Sequence, residues 1–124
     1  MAKVLVVDDF RQDVESLIRE LEYLGHSVSY ASCGVDAQRA MLRGEVDCAC
    51  YDGFMPNYAG AGISSVPEGV FLARETRRKR PEMKCVLYSR GLDTAYIAQL
   101  ESMKVPFFDK EKSNIIDILD ALGL

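Results

Sequence analysis

Short apolar runs alternate five times with segments whose apolar residues recur every three or four positions, and this rhythm constrains the fold of the 124-residue chain more than any other feature. The first run is KVLVV at positions 3–7, rich in β-branched residues, as expected of a strand covered on both faces. It ends in Asp8 and Asp9. The next segment changes period: Val14, Leu17, Ile18, Leu21 and Leu24 share one helical face, and Gly25 supplies a stop signal. Further strand-like runs lie at 27–31, 46–51, 84–89 and 105–108, and further helical segments at 35–42, 67–80, 93–103 and 115–122. Parallel neighbours need a crossover of about a dozen residues or more, and each interval here holds one. The expected fold is therefore α/β, an open doubly wound parallel sheet of five strands with five helices on its two faces.

A length of 124 residues suits a single domain over 1–124 and leaves no room for a second of useful size. With 48% hydrophobic and 27% charged residues, the composition is that of an ordinary globular protein. Fifteen Lys and Arg against nineteen Asp and Glu give a formal charge of -4, which argues against direct nucleic-acid binding. The basic run Arg77, Arg78, Lys79 and Arg80 reads as the cation-rich last turn of a helix. No apolar stretch approaches the ~18–20 residues of a membrane span, and the first apolar run gives way at once to Asp8 and Asp9. A cytoplasmic location without membrane insertion is expected.

Cys33, Cys48, Cys50 and Cys85 form no CxxC pair, and three of them lie in apolar strand-like runs, so they read as reduced core residues. The sole histidine, His26, reads as a turn residue. One segment breaks the rhythm: NYAGAGISSV at 57–66 makes a longer connection than is usual between such elements, either a functional flap or a tolerated insertion.

In doubly wound sheets ligands gather beyond the carboxyl ends of the strands. The first strand ends at Asp8 and Asp9, the third at Asp52, the fourth at Ser89, and the fifth at Asp109 and Lys110. A lone strand-end aspartate is usually a helix cap or turn residue. Several at one edge are different, because two carboxylates ~4 Å apart repel by about 4 kcal/mol at an effective dielectric of 20. Such a cluster calls for a compensating cation, and an all-oxygen ligand set without His or Cys favours a hard ion such as Mg2+. Asp52 is suited to attack a phosphoryl group, giving an aspartyl phosphate, with Lys110 neutralising charge and Ser89 donating a hydrogen bond.

The segments Asp8-Asp9, Asp52-Gly53-Phe54-Met55-Pro56, Ser89 and Phe107-Phe108-Asp109-Lys110, in this order and each after its own strand, resemble the receiver domain of two-component response regulators across essentially the whole chain. The resemblance implies a flavodoxin-like sheet of order 2-1-3-4-5. It also implies that Asp52 is the phosphoacceptor and that Mg2+ is held by Asp8, Asp9, Asp52 and the backbone carbonyl of Phe54. Lys110 would contact the phosphoryl group, Ser89 would move toward it, and Phe107 would be the aromatic switch. The implied partners are a histidine kinase or phosphotransfer protein and a downstream protein target. The implied output face is the fourth helix, fifth strand and fifth helix, including Tyr96, Gln99, Leu100, Met103 and Phe107. Such a domain is a phosphorelay signalling module, not an enzyme in the turnover sense.

Two positions depart from the family's pattern. Glu111 follows Lys110 where the family usually has proline, and Arg90 follows Ser89 where it usually has a small residue. They make an alternative credible, a degenerate receiver acting as a phosphorylation-independent protein-interaction module. Two other chemistries fail on named residues. Haloacid-dehalogenase-like phosphatases place a second aspartate two residues after the nucleophile, where this chain has Phe54. Flavodoxin-like electron transfer needs a hydroxyl- and glycine-rich loop after the first strand, where this chain has Asp8, Asp9, Phe10 and Arg11.

Overall fold

The structure, a computed structural model, describes residues 1–55 and 66–124. Strands β1 (Lys3–Val7), β2 (Ser27–Ala31), β3 (Cys48–Tyr51), β4 (Lys84–Ser89) and β5 (Phe107–Asp109) form one sheet in the order β2-β1-β3-β4-β5, parallel throughout. The helices are α1 (Glu15–Tyr23), α2 (Gly34–Leu42), α3 (Glu68–Lys79), α4 (Thr94–Ser102) and α5 (Ile115–Ala121), and a short 3-10 turn, Arg11–Val14, leads into α1. This is the α/β architecture of order 2-1-3-4-5 that the alternation and the resemblance together implied. Among the described residues no helix is long and apolar enough to cross a membrane.

Strand alternation divides the core into two layers. Leu5, Val7, Ala49, Tyr51, Cys85 and Leu87 meet Ala37 of α2, Val70 and Ala73 of α3 and Leu100 of α4. On the other face Val4, Val6, Cys48, Cys50, Val86 and Tyr88 meet Leu17 and Leu21 of α1 and Ile118 and Leu119 of α5. Central β3 is buried at all four positions, whereas edge strand β2 turns Ser27 and Ser29 outward. Burial from both faces explains why the central strands read as unbroken apolar runs.

Two strand boundaries differ from the expectation. The third strand begins at Cys48, because Asp47 is already engaged with Lys3: their backbones pair at 2.7 Å and the Asp47 carboxylate accepts the Lys3 N–H at 2.7 Å. The fifth begins at Phe107. Lys104 takes a left-handed φ of 60°, and the Val105 N–H returns to the Leu100 carbonyl at 2.9 Å, so this apolar residue closes α4 before the strand begins. Leu24, expected on the buried face of the first helix, caps α1 and is exposed.

Cys48, Cys50 and Cys85 are buried free thiols and Cys33 is half-buried. His26 does more than turn the chain, since its Nδ1 accepts the Ala2 N–H at 2.9 Å. The basic run does end α3, and Arg77 also donates to the carbonyls of Pro81, Met83 and Met103 at 2.8–2.9 Å, tying the helix to the loops at the strands' amino ends. The expected long connection at 57–66 lies, apart from Val66, outside the described residues.

Candidate functional site

The ladders run one residue past the central strands and fix two aspartates. The Asp8 N–H donates to Ala31 at 3.0 Å and the Asp52 N–H to Val7 at 2.8 Å. Both side chains are almost completely buried, whereas Asp9 is exposed. Carboxylate oxygens of Asp8, Asp9 and Asp52 lie within 4.8 Å of one another. On the next strand pair, the Lys110 N–H donates to the Ser89 carbonyl at 3.0 Å, which carries the Lys110 side chain over the cluster.

The Lys110 ammonium is the local counter-ion. Its Nζ stands 2.6 Å from Asp8, 3.0 Å from Asp13 and 3.3 Å from Asp52, and its side chain is only 5% exposed. Burial opposes its charge, but the hydrogen bond to Asp8, with Asp52 and Asp13, outweighs burial and holds the ammonium above its usual range. One ammonium does not satisfy the site. Burial, reinforced by the Asp8 charge, drives the Asp52 carboxyl well above the usual carboxylate range, and burial also raises Asp8 against its Lys110 bond.

Two features prepare space beside Asp52. A Cβ at Gly53 would stand 2.8 Å from the Ser89 hydroxyl oxygen and 3.1 Å from the Ser89 Cβ, so glycine lets the two loops approach with the hydroxyl in this position. Ser89 Oγ is itself buried and has no hydrogen-bond partner among the described residues. Buried hydroxyls are seldom left unpaired, and this one shares a cleft of about 240 Å³ with Asp9, Asp52, Arg90 and Lys110. The exposed rings of Phe10 and Phe54 stand at its rim.

The structure thus brings Asp8, Asp9, Asp52, Ser89 and Lys110 together, as the strand ends suggested. It does not bring in Asp109, whose carboxylate accepts the Glu111 N–H at 2.8 Å while its carbonyl accepts from Lys112 and Ser113. That aspartate builds the turn after Lys110 without the family's proline. Asp13 belongs to the cluster and was not anticipated. It bonds Lys110 and takes Arg90 in a bidentate pair at 2.6 and 3.0 Å. The Arg90 bonds, more than burial can oppose, hold its carboxyl below the usual range. Its position in a 3-10 turn, away from any strand end, hid it; the available signal was a carboxylate one turn beyond Asp9, on the helix side of the strand end.

No family model matches the sequence, and neither does any curated protein. The three-dimensional comparison does find matches. A response regulator receiver domain protein from Clostridium thermocellum superposes with a TM-score of 0.81 at 20% identity, over 99% of this chain and 92% of that one. The chain has the receiver fold of the response regulators. Response regulator protein TrrA from Thermotoga maritima, in complex with Mg(2+)-BeF, matches at 27% identity with a TM-score of 0.74, over 99% of this chain and 97% of that one. A response regulator from Burkholderia pseudomallei, with a phosphorylated aspartic acid, calcium ion and citrate, matches at 20% identity with a TM-score of 0.79, over 98% and 66% of the two chains.

Within this receiver fold the residues expected on the output face divide. Leu100 is fully buried and belongs to the core, so it is no contact surface. Tyr96, Met103 and Phe107 are partly buried and pack on the same core layer. Gln99 is exposed and pairs with Arg74.

Proposed function

We propose that the chain is a phosphorylation-controlled signalling switch in which Asp52 accepts a phosphoryl group and the altered surface is read by a partner protein. The observation that carries this reading is a buried carboxylate flanked by two groups suited to phosphoryl oxygens. Lys110 is 3.3 Å from Asp52, and the buried Ser89 hydroxyl has no hydrogen-bond partner among the described residues. An Asp52 oxygen forms the new O–P bond while the donor's P–N bond breaks, and the bonding pair stays on the imidazole nitrogen of a histidine kinase or phosphotransfer protein, which takes its proton from solvent. Lys110 neutralises charge on the transferred group, and Ser89 turns its hydroxyl to a phosphoryl oxygen.

The donor set fits a hard divalent cation: oxygen ligands only, three carboxylates within reach of one another, and two of them raised by burial. Asp8, Asp9, Asp52 and the Phe54 carbonyl would hold Mg2+, which when bound supplies charge compensation for the carboxylates and the incoming oxygens. Mg(2+)-BeF in TrrA and the phosphorylated aspartic acid with calcium in the Burkholderia protein support this assignment. Phosphorylation adds about -1.5 to -2 charges, which draws the Ser89 and Lys110 loops inward, with Phe107, three residues before Lys110, as the aromatic switch. The reading makes residues 1–124 one receiver domain, cytoplasmic, engaging a kinase or phosphotransfer protein and a downstream target, with no turnover chemistry beyond its own phosphoryl group.

The deciding experiment is incubation with a small phosphodonor and Mg2+, followed by intact-mass measurement. Wild type gains one phosphoryl group and Asp52→Asn gains none. A wild type that stays unmodified favours the second reading, a phosphorylation-independent interaction module, for which the Asp13–Arg90 pair at the rim of the cleft is the supporting observation.

A further inference from the structure

Two cations face the cleft beside Asp52, and one carboxylate holds both. Asp13 bonds the Lys110 ammonium at 3.0 Å and the Arg90 guanidinium at 2.6 and 3.0 Å. Lys110 is buried, while the Arg90 side chain is 56% exposed and Asp13 only 10%. Asp13 is thus an internal anion seated between the two positive groups that border the phosphoacceptor. Glu111, on the far side of Arg90 at 3.9 Å, is the other acidic neighbour of that guanidinium among the described ion pairs.

We propose that Asp13 and Arg90 form a latch on the phosphoacceptor cleft, with Asp13 withholding Arg90 from a phosphoryl group until that group displaces it. This rests on the reading of Asp52 as phosphoacceptor. A phosphoryl group carries more negative charge than the Asp13 carboxylate and offers more acceptor oxygens, so Arg90 gains by exchanging one for the other. Arg90 has the planar, forked donors suited to either partner. Being largely exposed, it swings without disturbing the core. Arg90 is then a specificity-determining residue for dianionic phosphoryl groups, and Asp13 is the positioning residue that keeps it off Asp52 in the resting protein.

The test uses the full chain, Mg2+ and beryllofluoride as the phosphoryl mimic, with affinity read by calorimetry and the Arg90 Nη–H resonance, on the nitrogens that bond Asp13, read by NMR. In the metal-free wild type this resonance is distinct, and Asp13→Asn moves it to the position of a solvated guanidinium. Adding Mg2+ and beryllofluoride to wild type shifts it again as Arg90 changes partner. Asp13→Asn binds beryllofluoride roughly threefold or more tighter than wild type. In the Arg90→Gln background the same substitution gives a much smaller gain, which separates the latch from general removal of negative charge.

If wild type binds beryllofluoride and Asp52→Asn does not, yet Asp13→Asn binds no tighter or gains equally without Arg90, the latch is wrong and the phosphoacceptor reading stands. If neither wild type nor Asp13→Asn binds the mimic, both fall together.

Discussion

Gly69 and Asp52 meet backbone to backbone: a Cβ on Gly69 would stand 2.0 Å from the Asp52 carbonyl oxygen, and the Gly69 N–H donates to the next carbonyl, Gly53, at 3.2 Å. The first turn of α3 is therefore laid directly on the chain segment that carries Asp52. Because the obstacle is main chain, no rotamer change relieves it. Gly69→Ala is expected to lower the unfolding free energy by about 1–3 kcal/mol, as overpacking usually does. Urea melts compared with wild type check this, and an unchanged midpoint would show that α3 can slide away freely.

Removing Lys110 leaves Asp8, Asp13 and Asp52 without their buried cation. Lys110→Met should cost about 3 kcal/mol in the absence of divalent ions. Millimolar Mg2+ should recover part of that loss, since bound ions stabilise the state that binds them. Melts with and without Mg2+ measure both effects. Equal destabilisation in the two conditions would remove the carboxylates from the metal's ligand set.

Burial pushes the thiols of Cys48 and Cys85 up to about 11 from an ordinary value of 9.0. A group raised in the folded state contributes its stability in full below its unfolded value, and that contribution is lost as the pH climbs through the folded value. Stability should accordingly fall between pH 9 and 11, by on the order of 2–3 kcal/mol per thiol. Burial also raises Tyr30, Tyr51 and Tyr88, adding in the same direction. The double variant Cys48→Ala with Cys85→Ala should flatten the alkaline limb of a stability-against-pH curve. In the native protein a thiol reagent should react quickly with Cys33 alone and with all four cysteines after unfolding.

The Asp109 carboxylate organises the turn after Lys110 by accepting the Glu111 N–H. Asp109→Ala should cost about 1 kcal/mol, comparable to the loss of a helix cap, and should lower the phosphorylation rate by loosening Lys110. Asp109→Asn, which keeps an acceptor oxygen, should restore most of both. Failure of Asn to rescue would mean that the charge, and not the turn, is what matters.

The strands were the most legible part of the chain. Lys3–Val7, Ser27–Ala31 and Lys84–Ser89 fall where the apolar runs begin and end, because sheet burial and sequence pattern report the same thing. Val105 misled for a physical reason: it is apolar because it plugs the end of α4, and hydrophobicity does not distinguish a plug from a strand. The site was legible where polar residues terminate strands, at Asp8, Asp9, Asp52, Ser89 and Lys110. Asp13 was not, since a carboxylate in a short 3-10 turn looks like any solvated helix start until Arg90, 77 positions away, is folded against it.

The rung between Lys110 N–H and the Ser89 carbonyl couples the site's main cation to its hydroxyl. The two residues share one backbone hydrogen bond, so their main chains keep a fixed spacing beside Asp52. A displacement of either β4 or β5 at this level would have to break that bond or carry both residues with it. On the proposed reading, communication along that rung would run in both directions: a bound partner would favour or disfavour the modified form of Asp52 by the same free energy with which modification alters the partner's affinity.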